Sequence, residues 1–252
     1  MNTSTIENKP VNKEPARFKW SHHHWAHRAA VKIFNRVMRY VPFALKYGIG
    51  RSRREERFPY CLIEPGKTLV QVGAPVDTLG SGRSRAMYFS LFTGKSGKAV
   101  IIEPDSASEK MFNTHKSKRN MPQIEFVRSG AWSEQKRLRF YIDPKHPATN
   151  FTEGVREYSA EEMAAYELIE LDADTIDNIL ERAGVETPFL VSITTNGAEP
   201  EILKGLQRTI NAGLPYIALA RTGEKYIELM NSYGYELHAH DDRGYTFKRV
   251  GA

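Results

Sequence analysis

Cysteine is nearly absent from the sequence: Cys61 is the single one among 252 residues, so an intrachain disulfide is excluded. Long apolar runs are absent as well, since no stretch approaches the roughly 20 consecutive apolar residues that a membrane-spanning helix needs. The first residues also lack the continuous apolar core of a signal peptide. Together these absences predict a cytoplasmic protein, a compartment that suits a lone thiol.

The loop after Gly73 lacks the pattern Gly-x-Gly-x-x-Gly, which seats a dinucleotide pyrophosphate on a helix N-terminus. This absence argues against a nicotinamide-dependent oxidoreductase. What the chain does contain is ordinary for a globular protein, with 40% hydrophobic and 26% charged residues. The length suffices for one α/β domain with a sizeable core and an extension.

Negative charge is scarce in the N-terminal part of the chain. Residues 1–57 contain 13 of the 36 lysines and arginines but only 4 of the 30 acidic residues. Residues 58–252 carry a small acidic excess, which argues against a long nucleic-acid track on the main domain. The sequence therefore predicts a basic N-terminal tail and amphipathic helix over 1–57 and a separate α/β domain over 58–252.

From about residue 18 to 46, apolar residues recur at helical spacing, with basic residues on the other side. The apolar stripe comprises Ala26, Ala30, Ile33, Phe34, Val37, Met38 and Val41. Such a helix either packs on the main domain as a cap or, with its basic residues, lies on an anionic membrane through residues 18–57. Whether it joins two copies of the chain stays open. Trp20 and Trp25 could stack on bases, which makes action on a nucleic acid a weaker alternative.

Histidines cluster at two places without completing a metal site. His23 and His27 are four residues apart, a spacing that suits two metal ligands on one helix face, but no carboxylate or cysteine nearby completes the set. His238 and His240 alternate onto one face of a predicted strand, where a solvent-facing strand end is the simpler interpretation. We therefore predict no bound metal.

The stretch from Thr68 to Glu103 has the pattern strand, tight turn, helix, strand. The first strand is apolar on both faces, as in a buried parallel strand, and Gly73 stands where the chain must turn sharply. Glu103 ends the second strand, where its carboxylate can accept hydrogen bonds from a ribose diol. These features predict half of a nucleotide-type site at the carboxyl ends of the strands.

Further along the chain, strands and helices alternate, with a strand predicted over 138–142, a helix after Asp174 as its cap, and a helix over 201–211. The segments 75–83 and 143–154 are predicted as loops. The last two strands, 234–240 and 244–250, can form a hairpin. This order predicts a mostly parallel sheet with helices on both faces and an antiparallel strand at or near one edge.

Three motifs resemble those of the FkbM family of S-adenosylmethionine-dependent methyltransferases. Val70-Gln71-Val72-Gly73-Ala74 is similar to the family's Asp-Val-Gly-Ala-Asn string, and Ile102-Glu103-Pro104 to its Glu-Pro after the second strand. Residues 192–199 with Ile202-Leu203-Lys204-Gly205 resemble the Lys-Ile-Asp-Val-Glu-Gly-Ala-Glu…Leu-Lys-Gly signature. The resemblance covers roughly residues 62–250 and implies a Rossmann-like methyltransferase fold that binds S-adenosylmethionine.

The resemblance also implies a cofactor site. Gly73 and Ala74 would pass beneath the methionine part, Glu103 would hold the ribose, and Gly130-Ala131-Trp132 would lie near the adenine. Thr194 and Asn196 would lie near the methyl group and the acceptor, a hydroxyl or carboxyl of a glycan, lipid or small metabolite. The full set expected to bind the cofactor is Gln71, Gly73, Ala74, Asp77, Glu103, Ala131, Trp132 and Thr194.

The chain departs from the family at five motif positions, and three expected acidic groups are neutral. The replacements are Gln71 for Asp, Pro75 for Asn, Ser192 for Lys, Thr194 for Asp and Asn196 for Glu. Methyl transfer needs positioning, and it needs a base only when the acceptor must lose a proton. Two hypotheses therefore remain: an active methyltransferase, or an inactive relative that binds a ligand or partner through its N-terminal helix. The candidates for catalytic groups are Thr194, Asn196, Glu199 and His146, with His115 as a further base candidate.

Overall fold

The computed structural model of the chain describes residues 33, 34, 36–38, 40–143, 150–154 and 166–251. The predictions about Trp20, Trp25, the histidines of residues 22–27 and His146 lie outside these described residues. Among the described residues, no helix is both long and apolar enough to cross a membrane.

The eleven described strands form two sheets. Their bounds are β1 Thr68–Val72, β2 Lys98–Ile102, β3 Ile124–Val127, β4 Gly130–Ala131, β5 Lys136–Ile142, β6 Phe151–Thr152, β7 Glu167–Asp174, β8 Leu190–Ile193, β9 Tyr216–Leu219, β10 Tyr235–His240 and β11 Tyr245–Arg249. The larger sheet has the order β10-β11-β9-β8-β1-β2-β3. Its described pairs are parallel except those of β11, which runs antiparallel to both β9 and β10. This topology confirms the Rossmann-like methyltransferase fold.

The described helices longer than one turn connect these strands. Their bounds are α1 Phe43–Ser52, α2 Val76–Gly80, α3 Arg85–Thr93, α4 Ser106–Arg119, α5 Ile176–Arg182, α6 Glu199–Lys204, α7 Gln207–Asn211 and α8 Glu224–Ser232. Short polar side chains begin several of them: Ser84 accepts a hydrogen bond from Met87 N, and Asp105 accepts one from Ala107 N. Apolar clusters on both faces of the larger sheet form the core.

Three local predictions were wrong in their details. The predicted loop 75–83 contains α2. The predicted helix 201–211 is two helices, because the chain turns at Gly205 and the Asp177 carboxylate accepts hydrogen bonds from Arg208 N and Thr209 N, which begins α7. The cap of α5 is Thr175, whose hydroxyl accepts from Asn178 N, while the neighbouring Asp174 carboxylate binds Arg182.

A second sheet, with the order β4-β7-β5-β6, was not predicted from the sequence. The predicted strand 138–142 is part of β5, which pairs antiparallel with both β6 and β7. β6 lies in the segment predicted as a loop. β4 follows directly after β3 and pairs with the end of β7, so the second sheet stands at the carboxyl end of the larger one.

A buried arginine joins α3 to the last hairpin. Arg85, almost fully buried, donates hydrogen bonds to Ser192 Oγ at 3.2 Å, to Asp241 Oδ1 at 2.9 Å and to Asp242. Burial acts to raise the pKa of Asp242, but Arg85 and Arg243 outweigh it and hold that pKa below its usual range. Arg54 lies 3.9 Å from Asp242 as well, but Arg85 makes the shorter contacts and is the one ion-pair partner described for the buried Asp241, so removal of Arg85 would leave buried negative charge.

Replacing Arg85 with methionine should lower the free energy of unfolding by about 3–5 kcal/mol, because Asp241 loses its buried counter-ion and Asp242 loses its shortest ion pair. Urea unfolding followed by circular dichroism measures the change. The matched control is Arg83→Met, two residues earlier and exposed, which should cost less than about 1 kcal/mol. Equal losses for the two variants would contradict the importance of the buried pairs.

Candidate active site

The chain order of the strands reverses between β1 and β8, and the chain leaves both strands at the same edge of the sheet. In open α/β sheets this switch point is where ligands bind. Thr194 N donates to Val72 O at 2.9 Å, so the two exits are held side by side. Gly73 has φ +81°, and a Cβ on it would lie 2.0 Å from Thr194 O. Only glycine fits between these two exits.

Glu103 lies at the end of β2, next to the β1 exit, and is only 5% exposed. Its Oε2 accepts a hydrogen bond from Ala74 N at 2.7 Å and its Oε1 accepts one from Asp105 N at 3.1 Å. Each carboxylate oxygen keeps a further acceptor position. Burial raises the pKa of Glu103 to about 7, although the two backbone N–H groups act to lower it.

A cleft opens at this edge of the sheet, with an empty volume of about 670 Å³ counted to its open mouth. The larger sheet supplies the floor and the second sheet supplies an apolar wall. The lining residues are Val72, Gly73, Pro75, Ile102, Glu103, Pro104, Ser129, Gly130, Ala131, Leu138, Phe140, Asn150, Phe151, Thr152, Leu171, Thr194, Thr195, Asn196, Ala198 and Ile202.

The loop after β8 contributes three polar side chains to this lining. Thr194 Oγ1 accepts a hydrogen bond from Gln71 Nε2 at 3.1 Å. Asn196 Nδ2 donates to Asn150 O at 2.7 Å, which connects the loop to the segment that leads into β6. The hydroxyl of Thr195 is buried without a hydrogen-bond partner. An unsatisfied buried hydroxyl beside a cleft is a position where a ligand group can bind.

Two of the departures from the family motifs are neighbours below the cleft. Gln71 on β1 lies directly opposite Ser192 on β8. The resembling motifs carry Asp and Lys at these positions, which would lie side by side, whereas both residues of this chain are neutral. Gln71 instead donates to Thr194 and to the carbonyl oxygens of Val72 and Gly73, and Ser192 accepts from Arg85. The two replacements form a matched neutral pair in the scaffold and are not among the residues that line the cleft.

Glu199 was a candidate catalytic group, but it is not among the residues that line the cleft. The residue is fully buried, and its Oε1 accepts a hydrogen bond from Arg221 Nε at 2.9 Å. Arg221 also donates to Thr195 O at 2.8 Å. The pair therefore holds the loop after β8 in place and does not face an acceptor. Sequence reasoning missed Arg221 because its partner lies 22 residues earlier in the chain.

Four other candidates are absent from the cleft lining. Ala74 is buried beside it, and its N–H donates to Glu103. Trp132 is buried among core residues rather than beside the predicted adenine position, whereas its neighbour Ala131 lines the cleft. Asp77 lies on α2, where its charge helps to raise the pKa of Glu103. His115 lies on α4 with its ring against Phe43, and burial together with Arg119 and Lys46 lowers its pKa to about 4. A neutral histidine at that place cannot act in the cleft.

The apolar wall was also missed by sequence reasoning. Leu138 and Phe140 of β5, Phe151 of β6 and Leu171 of β7 line the cleft. The alternation in β5 gave a signal for a strand, but the place of that strand depends on pairings with residues far away in sequence. Among the described residues, no group of three or more histidine, cysteine or acidic side chains could hold a metal ion.

No protein-family model and no curated protein matches the chain. Among solved structures, it is similar to the methyltransferase FkbM from Methylobacillus flagellatus KT, with 16% identity and a TM-score of 0.45 over 88% of this chain and 60% of that one. It is also similar to a SAM-dependent methyltransferase from Aquifex aeolicus, with 13% identity and a TM-score of 0.39 over 78% and 89% of the two chains.

A third similar structure is fibrillarin from Aeropyrum pernix, solved with natively bound S-adenosyl-L-methionine. The identity is 14% and the TM-score 0.38, over 73% of this chain and 66% of that one. The present chain spans only 60% of the length of the Methylobacillus protein. Because all three TM-scores are below 0.5, the function is inferred from the geometry of the cleft.

Replacing Gly73 with alanine should distort the junction of the β1 and β8 exits. Gly154 has the same φ of +81° but open space around its Cβ position, so Gly154→Ala is a matched control. The positive φ alone should cost about 1–2 kcal/mol of unfolding free energy in both variants. The contact with Thr194 O should lower the unfolding free energy of Gly73→Ala by about 1–3 kcal/mol more. Equal losses in urea unfolding would show that the junction tolerates a side chain.

Proposed function

We propose that this chain is an S-adenosylmethionine-dependent methyltransferase that methylates an oxygen of a small-molecule, glycan or lipid acceptor. The observation that carries the proposal is the pairing of Gly73 and Glu103 at adjacent strand exits beside the switch point. The glycine leaves room for a ligand to approach the backbone, and the carboxylate offers acceptors to a ribose diol. An acidic ligand group would be disfavoured beside a buried carboxylate, whereas two hydroxyls can donate hydrogen bonds to it.

The residues of the cleft fit this cofactor. Glu103 would hold the ribose hydroxyls, the backbone at Gly73 would support the methionine part, and Gly130 and Ala131 with the apolar wall would accept the adenine. When bound, S-adenosylmethionine supplies an electrophilic methyl group on a positively charged sulfur. The remaining task of the chain is to orient the acceptor for in-line attack and to exclude water.

The described lining of the cleft offers no general base to an acceptor. Among its described residues, Glu103 is the one titratable group, and it is engaged by the cofactor in this proposal. A carboxylate acceptor needs no base at neutral pH, whereas a hydroxyl acceptor must lose a proton. The alternative, methylation of a hydroxyl, requires a base from outside these residues, for which His146 is the candidate.

Titration calorimetry with S-adenosylmethionine and S-adenosylhomocysteine tests the cofactor. Micromolar binding, worth about 8 kcal/mol, is expected for both ligands. Glu103→Ala should abolish it, and the exposed Glu64→Ala, which changes the net charge equally, should not. Binding that is equal in all three proteins would move the site elsewhere. No binding to the native protein would leave the inactive relative as the better hypothesis.

The high pKa of Glu103 gives binding a defined pH dependence. Ribose hydroxyls donate to the ionised form, so binding should release a proton near pH 6 and weaken by up to about tenfold per pH unit below 7. Without ligand, the free energy of unfolding depends on pH in the opposite sense. The folded protein favours protonated Glu103, so the stabilisation that this residue provides is lost as the pH rises from about 4.3 to about 7.

Calorimetry at pH 6 in two buffers with different ionisation enthalpies measures the released proton. Glu103→Gln is the control, because an amide cannot release one. A native protein that binds the cofactor without proton release would contradict the assignment of Glu103 to the ribose.

The identity of the product separates the two kinds of acceptor. With radiolabelled cofactor, methyl esters release volatile methanol in base, whereas methyl ethers do not. A base-labile product that forms equally in His146→Ala supports the carboxylate acceptor. A base-stable product that is lost in His146→Ala supports the hydroxyl alternative.

A further inference from the structure

Exposed apolar side chains are concentrated at the beginning of the described chain. Ile33, Phe34, Val37, Tyr40, Leu45 and Ile49 are between 49% and 85% exposed. Only two other large apolar side chains of the described residues are comparably exposed, Leu168 and Val250. Scattered exposed apolar residues are ordinary, but such a concentration within 17 consecutive positions marks an interaction surface.

The two faces of α1 show that the helix is firmly packed on the domain and that the exposure is confined to one side of it. One face is anchored: Tyr47 is buried, its hydroxyl donates to Leu79 O at 2.8 Å, and a Cβ on Gly50 would clash with the Tyr88 hydroxyl. The opposite face is exposed and carries no charge over two turns. Its members, at helical spacing, are Ala44, Leu45, Gly48 and Ile49.

The segment before α1 is held against α1 and the end of α2 by hydrogen bonds of Lys46. Lys46 Nζ donates to Met38 O at 2.9 Å and to Gly80 O at 2.7 Å, so one side chain connects the segment before α1, α1 itself and the end of α2. The exposed apolar residues on both sides of Pro42 therefore belong to one region of the surface. We call the exposed side chains of Ile33, Phe34, Val37, Tyr40, Leu45 and Ile49 the apolar strip.

Positive charge surrounds the apolar strip. Arg36 stands between Phe34 and Val37, and Arg51, Arg53 and Arg57 follow the apolar strip, all exposed. Glu55 and Glu56 are exposed among them, and Glu55 lies 4.0 Å from Arg51, so Arg53 and Arg57 are the basic groups without a described acidic partner there. The 13 basic and 4 acidic residues of 1–57 give this part of the chain a strong excess of positive charge. An apolar strip beside guanidinium groups matches the boundary of an anionic bilayer, where acyl chains lie next to phosphates.

We propose that the apolar strip docks on an anionic membrane surface, with Leu45 and Ile49 entering the headgroup–acyl boundary and Arg53 and Arg57 contacting lipid phosphates. A second copy of the chain fits less well, because two such faces would bring like charges together. A nucleic acid fits less well, because it offers phosphates but no partner for exposed aliphatic side chains.

Vesicle co-sedimentation of the full chain tests the proposal. Vesicles of phosphatidylcholine with about 30 mol% phosphatidylserine should bind the protein, pure phosphatidylcholine should bind it at least about tenfold more weakly, and high salt should weaken the binding. Leu45→Gln/Ile49→Gln leaves the anchored face of α1 intact and should lower the affinity at least about tenfold. The control Leu168→Gln/Val250→Gln removes equally exposed side chains elsewhere and should bind as the native protein does.

A second pair of variants tests the charge. Arg53→Gln/Arg57→Gln should weaken binding to the anionic vesicles, while Lys95→Gln/Lys225→Gln, also exposed, should not. Equal weakening in both pairs, or equal binding to both vesicle types, would overturn the proposal. A monomer–dimer equilibrium that Leu45→Gln/Ile49→Gln abolishes would assign the apolar strip to a second copy. Salt-sensitive binding to duplex DNA without vesicle binding would assign it to nucleic acid.

Discussion

The buried carboxylate of Glu103 is the constraint on which the candidate site depends. A carboxylate withdrawn from water is costly, and only hydrogen bonds to it make the position tolerable. Here the donors are the backbone N–H groups of Ala74 and Asp105, which belong to the exits of β1 and β2. The side chain therefore fixes the distance between the two exits, and the turn at Gly73 brings the β8 exit against them. A ligand with further donors would relieve the remaining cost, which couples the geometry of the cleft to its chemistry.

A second buried charge, the guanidinium of Arg85, stabilises the part of the sheet beneath the cleft. Arg85 joins α3 to the last hairpin and donates to Ser192 on β8, next to Gln71 on β1. The neutral residues at positions 71 and 192 are neighbours beneath the cleft, where the nearby buried charges are those of Arg85 and the two aspartates. Thr194 and Asn196, the other neutral residues at positions where the resembling motifs are acidic, line the cleft itself. The proposed cofactor site depends on neither pair, because it is assigned to Glu103 and to the backbone turn at Gly73.

Local patterns predicted the strands and most helices of the larger sheet, because apolar runs between turn residues specify buried parallel strands. They also predicted the positions of Gly73 and Glu103, since a turn and a strand end are local features. They did not predict what depends on distant partners. The second sheet requires β4 to pair with β7, and Glu199 forms an ion pair with Arg221. Trp132 faces the core although its neighbour Ala131 lines the cleft. The split at Gly205 depended on Asp177, a capping residue from another helix.

The most direct measurement is a crystal structure of the chain with S-adenosylhomocysteine. We expect both ribose hydroxyls within hydrogen-bond distance of the Glu103 carboxylate, the amino-acid part against Gly73, and the adenine between Ala131 and the wall of the second sheet. We also expect the Ala74 and Asp105 N–H groups still to donate to Glu103. A ligand bound outside this cleft, or bound in it with the ribose away from Glu103, would contradict the proposed cofactor site.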